Sequence, residues 1–76
     1  MKNPDDLSDR EMEFMSFIMQ QLAYKMIASK MDISYNTVKS MSRDVHIKTH
    51  THTYAELIAY GYNTGFDFNG KYHPKS

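Results

Sequence analysis

Ser8, Ser34 and Thr53 constrain this chain more than any other residues. Each is a short polar side chain placed before a stretch in which apolar residues recur three and four positions apart. A hydroxyl at such a place accepts a hydrogen bond from the first turn of a helix and satisfies one of its orphan N–H groups. Glu11 follows Ser8 by three, and Glu56 follows Thr53 by three, so both starts read as capping boxes. Leu7 and Met12 flank the first box at the staple positions, and Asp9, Glu11 and Glu13 suit the positive end of a helix dipole.

The apolar spacing fills in the helices. Phe14, Met15, Phe17, Ile18 and Leu22 form the expected buried stripe of a first helix. Tyr24, Ile27, Ala28 and Met31 mark a second helix over 24–31, poorly capped because Ala23 has no side-chain acceptor. After the turn "MDIS", Ser34 opens a third helix to about Lys48, with Val38, Met41 and Val45 inside. Tyr54, Leu57, Ile58 and Tyr62 mark a short fourth helix, ended by Gly61 or Gly65. Met19 and Met26 fall off these faces. They are expected at the surface, either as ordinary exposed residues or, with Phe17, as an apolar patch for a partner.

The expected organisation is therefore all-α, with a polar lead-in at 1–6, a four-helix domain at 7–65 and a short tail at 66–76. The tail "FDFNGKYH" alternates around Asn-Gly, which is a hairpin signal; a tail that is disordered or loosely packed is the other reading. At 76 residues without cysteine, stability rests on one compact core. Seven methionines, six tyrosines and four phenylalanines supply much of that core, and methionine packs adaptably but specifies loosely. No apolar run is long enough to span a bilayer and no secretory leader is present, so a soluble cytoplasmic protein is expected.

The formal net charge is zero, which argues against bulk attraction to nucleic acid. The charge is uneven, however. The first third is acidic, whereas Ser34 to Thr53 carries Lys39, Arg43 and Lys48 against Asp44, with His46, His50 and His52 beside them. The third helix thus has an apolar side and a basic, polar side, and a short turn separates it from the second. That pairing is the outline of a helix-turn-helix.

The stretch "LSDREMEFMSFIMQQLAYKMIASKMDISYNTVKSM" resembles the LuxR-type (GerE-type) DNA-binding domain. The resemblance is carried by Leu7, Ser8, Arg10, Glu11, Glu13, Phe14 and Met15, then Lys25, Ile27, Ala28, Ile33, Ser34, Thr37, Val38 and Lys39. Ala55, Glu56 and Leu57 continue it in the fourth helix. It implies a four-helix LuxR-type helix-turn-helix that binds double-stranded DNA with the third helix in the major groove. Thr37 and Lys39 match positions that contact DNA, and Lys25 matches a phosphate contact. Tyr35, Asn36, Ser40 and Arg43 occupy the variable exposed positions that would read base edges, Asn36 suiting adenine and Arg43 guanine. Lys48 extends the same basic stretch and joins the candidate set.

The sequence departs from the family pattern at Gln21, where glycine is common, and at Ala23, Met26, Met41 and Asp44. Thr49 and Thr51 stand where apolar residues usually anchor the fourth helix. The resemblance also implies a homodimer through that helix. A second reading keeps the fold but uses its surface to bind a larger regulator protein. The histidines invite a metal reading, but no cysteine or placed carboxylate completes a site, and no metal or cofactor is expected. No nucleophile with a base and no phosphate-binding glycine loop is present, so an enzyme is not expected.

Overall fold

A computed structural model describes residues 7–74. Among them are α1 (Asp9–Met19), α2 (Tyr24–Met31), α3 (Tyr35–Thr49) and α4 (Tyr54–Thr64). The fold is the all-α helix-turn-helix. The lead-in at 1–6 and the last two positions of the tail lie outside the described residues.

The helix starts follow the caps. Ser8 Oγ accepts the Glu11 N–H at 3.1 Å while Glu11 Oε1 accepts the Ser8 N–H at 2.9 Å, a complete capping box. Ser34 Oγ accepts the Thr37 N–H at 3.1 Å. Thr53 accepts the Glu56 N–H at 3.1 Å, but the box there is only half made. Glu56 reaches one residue further and takes the N–H of His52 at 2.6 Å. The α2 start has no side-chain cap.

All four helices end by one device. The N–H of Leu22, Ile33, Thr51 and Phe66 reaches back five residues to the carbonyl of Phe17, Ala28, His46 and Gly61, at 3.3, 3.0, 3.0 and 2.9 Å. The residue before each donor has positive φ: Gln21 at 61°, Asp32 at 58°, His50 at 58° and Gly65 at 127°. This is the Schellman reversal, in which a left-handed residue turns the chain back across the last turn. Its second occurrence sets the α2–α3 turn, because Asp32 reverses the chain and Ser34 caps the next helix.

Phe14, Met15, Ile18, Ile27, Val38, Val45 and Leu57 are fully buried and form the centre of the core. Met19 joins them at 1% exposure, contrary to its expected surface position. The reason lies in α4. Gly61 does not end that helix; it lies within it, and a Cβ there would overlap Met19 Sδ. The missing side chain makes the hole that Met19 fills. The inner face of α4 is accordingly Leu57, Gly61 and Thr64, while Tyr62 is 45% exposed rather than buried. Met26 remains outside, and Phe17 is half-buried.

Beyond α4 the chain folds back. Phe66 and Tyr72 form an antiparallel bridge with ring centroids 5.0 Å apart, and His73 donates its N–H to Gly65 at 2.8 Å. Asp67 closes the turn. Its carboxylate accepts the N–H groups of Asn69 and Lys71 at 2.9 and 3.0 Å and meets His73 Nε2 at 2.8 Å. The Lys71 N–H, then His73, hold this carboxyl below its ordinary pKa. Phe66 is buried in the common core, and Gly70 presses on the Ser16 carbonyl, where a Cβ would not fit.

Candidate nucleic-acid interface

The site is built on α2 and α3, and three contacts fix how these helices stand. Tyr24 Oη and Ser42 Oγ are 2.6 Å apart, joining the first turn of α2 to the middle of α3. Arg10 donates to the Met31 carbonyl at 3.3 Å, satisfying the end of α2 from α1. Tyr54 donates its hydroxyl to the Leu22 carbonyl at 2.7 Å and so ties α4 to the loop before α2. Burial, and secondarily the neighbouring Tyr24, raises the pKa of the Tyr54 phenol and keeps that donor protonated.

The candidate DNA contacts fall on this frame as follows. Lys25 is exposed in the first turn of α2. It shares a shallow cleft with Ala23, Tyr24, Tyr35 and Tyr54. Tyr35 is 44% exposed at the start of α3, with the Lys39 ammonium 5.6 Å from its ring centroid. Asn36, Thr37, Lys39, Ser40 and Arg43 are all exposed. The Thr37 hydroxyl is already engaged with Ser34 Oγ at 2.8 Å, so it belongs to the cap as well as to the surface. All seven are thus exposed on α2 and α3; Lys25 and Tyr35 share one cleft, and Lys39 and Arg43 share one side of α3.

Lys48 stands apart from them. Its ammonium is bound to Glu11 Oε1 at 2.8 Å and secures the end of α3 to the first turn of α1. Burial raises the pKa of the Glu11 carboxyl, but Lys48 and Ser8 outweigh burial and leave it below the ordinary value. Asp44 follows Thr37 by seven and Ser40 by four, so helical spacing sets it beside these two candidate contacts, while Lys39 and Arg43 lie on the neighbouring face.

The departures at Thr49 and Thr51 have a structural answer. Both residues are buried. Thr49 Oγ1 donates to the Val45 carbonyl at 2.8 Å and lies 2.9 Å from Thr51 Oγ1, which lies 2.7 Å from His46 Nδ1. Where the family pattern has apolar residues, the end of α3 carries a buried hydrogen-bonded chain. The Schellman reversal often brings an apolar residue to the place of Thr51, and here a hydroxyl does the work.

Two features were not in the candidate set. Ile47 is 66% exposed on the outer side of α3, four residues after Arg43. The histidines after Arg43 also converge. A groove of about 590 Å³ is lined by Tyr24, Lys39, Ser42, Arg43, His46, Ile47, His50, Thr51 and His52. The spacing of Lys39, Arg43 and His46 shows this stripe in the sequence, whereas the arrival of Tyr24, His50 and His52 needs the fold.

A family model described as GerE, bacterial regulatory proteins of the luxR family, matches residues 5–60. No curated protein and no solved structure matches the chain.

Proposed function

From the premise that the chain belongs to the LuxR family of bacterial regulatory proteins, whose domains are helix-turn-helix DNA binders, we propose that it binds double-stranded DNA sequence-specifically as a small transcriptional regulator. The observation that carries this reading is the joint placement of Lys25 and the exposed face of α3. The α2 start lacks a side-chain cap, so its N–H groups and the adjacent Lys25 offer a phosphate the positive end of a dipole. Tyr35, the first residue of α3, lies in the same cleft as Lys25. A backbone phosphate there would deliver α3 to the major groove.

In that position Asn36 and Arg43 read base edges, each good bidentate contact discriminating by about 1–3 kcal/mol. Tyr35, Thr37, Lys39 and Ser40 complete the contact set, and Lys48 serves the frame through Glu11. The neutral net charge does not oppose this, because the local field at α3 is basic. A homodimer through α4 would place two such helices on paired half-sites. Ala55, Ala59 and Tyr62 are exposed on α4 at the spacing of one helical face and would meet across it. The protein would then act in the cytoplasm at the nucleoid.

The test is binding to a random duplex pool at several salt concentrations, beside the Lys39→Ala/Arg43→Ala double variant. Affinity that falls steeply with salt, enriches one sequence and is lost in the variant supports the reading. A folded protein that binds no duplex at low salt removes it.

A second reading is favoured by one observation: Met26 and Ile47, on the same two helices, are 51% and 66% exposed. Apolar side chains there suit a protein surface, such as a larger regulator whose activity the chain would modulate. Co-purification with such a protein, unaffected by nuclease, supports it.

A further inference from the structure

The groove beside α3 holds more basic groups than base reading requires. Lys39, Arg43 and His46 follow one another at i, i+4 and i+7 along α3, and His50, the left-handed residue just past its end, closes the groove with His52. Eleven residues of helix span roughly 16 Å, long enough for several phosphates of one strand. The described residues that line the groove include no carboxylate. From α2 the facing titratable group is Tyr24, held by Ser42. From the start of α4 it is Glu56, whose carboxylate takes the His52 N–H at 2.6 Å.

We propose that this groove is a phosphate site whose positive charge rises with acid, so that His46, His50 and His52 make the grip on the DNA backbone depend on pH. The proposal rests on the DNA-binding reading and adds backbone contacts at the histidine end of the groove to the base contact assigned to Arg43.

The hydrogen bonds around His46 show how its charge can change without disturbing the fold. The Thr49 hydroxyl hydrogen goes to the Val45 carbonyl, so Thr49 Oγ1 accepts from Thr51. The Thr51 hydrogen is then spent, and Thr51 Oγ1 accepts from an N–H at His46 Nδ1. The neutral ring therefore carries its proton on Nδ1 and its lone pair on Nε2. A second proton arrives at Nε2 and leaves the chain through Thr51 and Thr49 intact. The imidazolium gains a donor for a phosphate oxygen while the end of α3 is unchanged. His50 and His52 are exposed and add their charge at the same end. Histidine is the side chain type whose charge changes most readily between about pH 5 and pH 8, which sets the range over which binding is compared.

The experiment measures the salt dependence of duplex binding at about pH 6 and about pH 8. Each phosphate newly neutralised adds about 0.9 to the slope of log affinity against log salt, so the slope should steepen by roughly 2–3 in acid. The His46→Gln/His50→Asn/His52→Gln variant should lose this difference between the two pH values. His50→Asn/His52→Gln, which leaves the Thr49–Thr51 chain untouched, should lose most of it and guards against a folding defect. Equal slopes in the parent protein, with duplex bound at both pH values, overturn the proposal and leave the DNA reading standing. If no duplex binds, inorganic pyrophosphate at about pH 6 separates the two ideas. Shifts of the His46, His50 and His52 ring signals by NMR keep a phosphate site served by another source, and unmoved signals overturn it.

Discussion

Lys48, in the last turn of α3, holds Glu11, in the first turn of α1, at 2.8 Å across 37 positions of sequence. Glu11 also completes the capping box of Ser8, so one carboxylate starts α1 and anchors the end of α3. Helix α3 is thereby fixed at the end remote from its own cap.

Glu11→Gln should cost about 1–3 kcal/mol at neutral pH, between the values for an exposed pair and a charged buried hydrogen bond. The Glu11 carboxyl is depressed below its ordinary pKa of 4.5 in the folded state. Its contribution is therefore present above the unfolded value and lost as pH falls through the folded one. Urea unfolding at neutral pH and at about pH 3 should show a parent protein that loses more stability in acid than the variant. Parallel losses in the two proteins would refute the linkage.

Thr49 and Thr51 should behave as a unit. Thr51→Val leaves Thr49 Oγ1 and His46 Nδ1 without their partner and should cost about 1–2 kcal/mol. Thr49→Val/Thr51→Val should cost less than the sum of the singles, because an apolar pair of similar shape strands fewer groups. Additive costs in thermal or urea unfolding would mean that the two hydroxyls are not coupled.

Gln21 carries a φ of 61°, a conformation that disfavours every residue with a Cβ. It is exposed, so little packing is lost with its side chain. Gln21→Gly should stabilise the protein by about 1 kcal/mol and raise the melting temperature by a few degrees. A variant less stable than the parent contradicts this.

On DNA, Asn36→Ala and Arg43→Ala should each relax preference at a base position, at about 1–3 kcal/mol per lost contact. Lys25→Ala should weaken all sequences alike and lower the salt slope by about 1. Selection from a randomised duplex pool distinguishes the two patterns. Loss of Asn36, Arg43 and Lys39 without effect would withdraw α3 from the interface.

The elements governed by neighbours in sequence were legible before the structure. Ser8, Ser34 and Thr53 cap helices through their third residues onward, and the poor cap at Ala23 follows from its methyl side chain alone. What escaped reading depends on a partner far along the chain or on which way a hydroxyl points. Met19 is surface-like by periodicity and buried because Gly61 opens space for it. Lys48 reads as one more basic residue of α3 until α1 brings Glu11 beside it. Thr49 and Thr51 look like weak substitutes for apolar anchors. Only the direction of their hydroxyl hydrogens, set by the Val45 carbonyl, links them into a chain.

The shared reversal at the helix ends bears on time as well as shape. Each stop is closed within six residues, from Phe17 to Leu22, Ala28 to Ile33, His46 to Thr51 and Gly61 to Phe66. A chain can form such a stop without waiting for distant segments to meet. The slow, entropic part of the search is then the docking of four rods whose lengths are already set. Chains dominated by local contacts fold in about microseconds to milliseconds, so a newly made copy should reach its working shape far sooner than its gene can be read again.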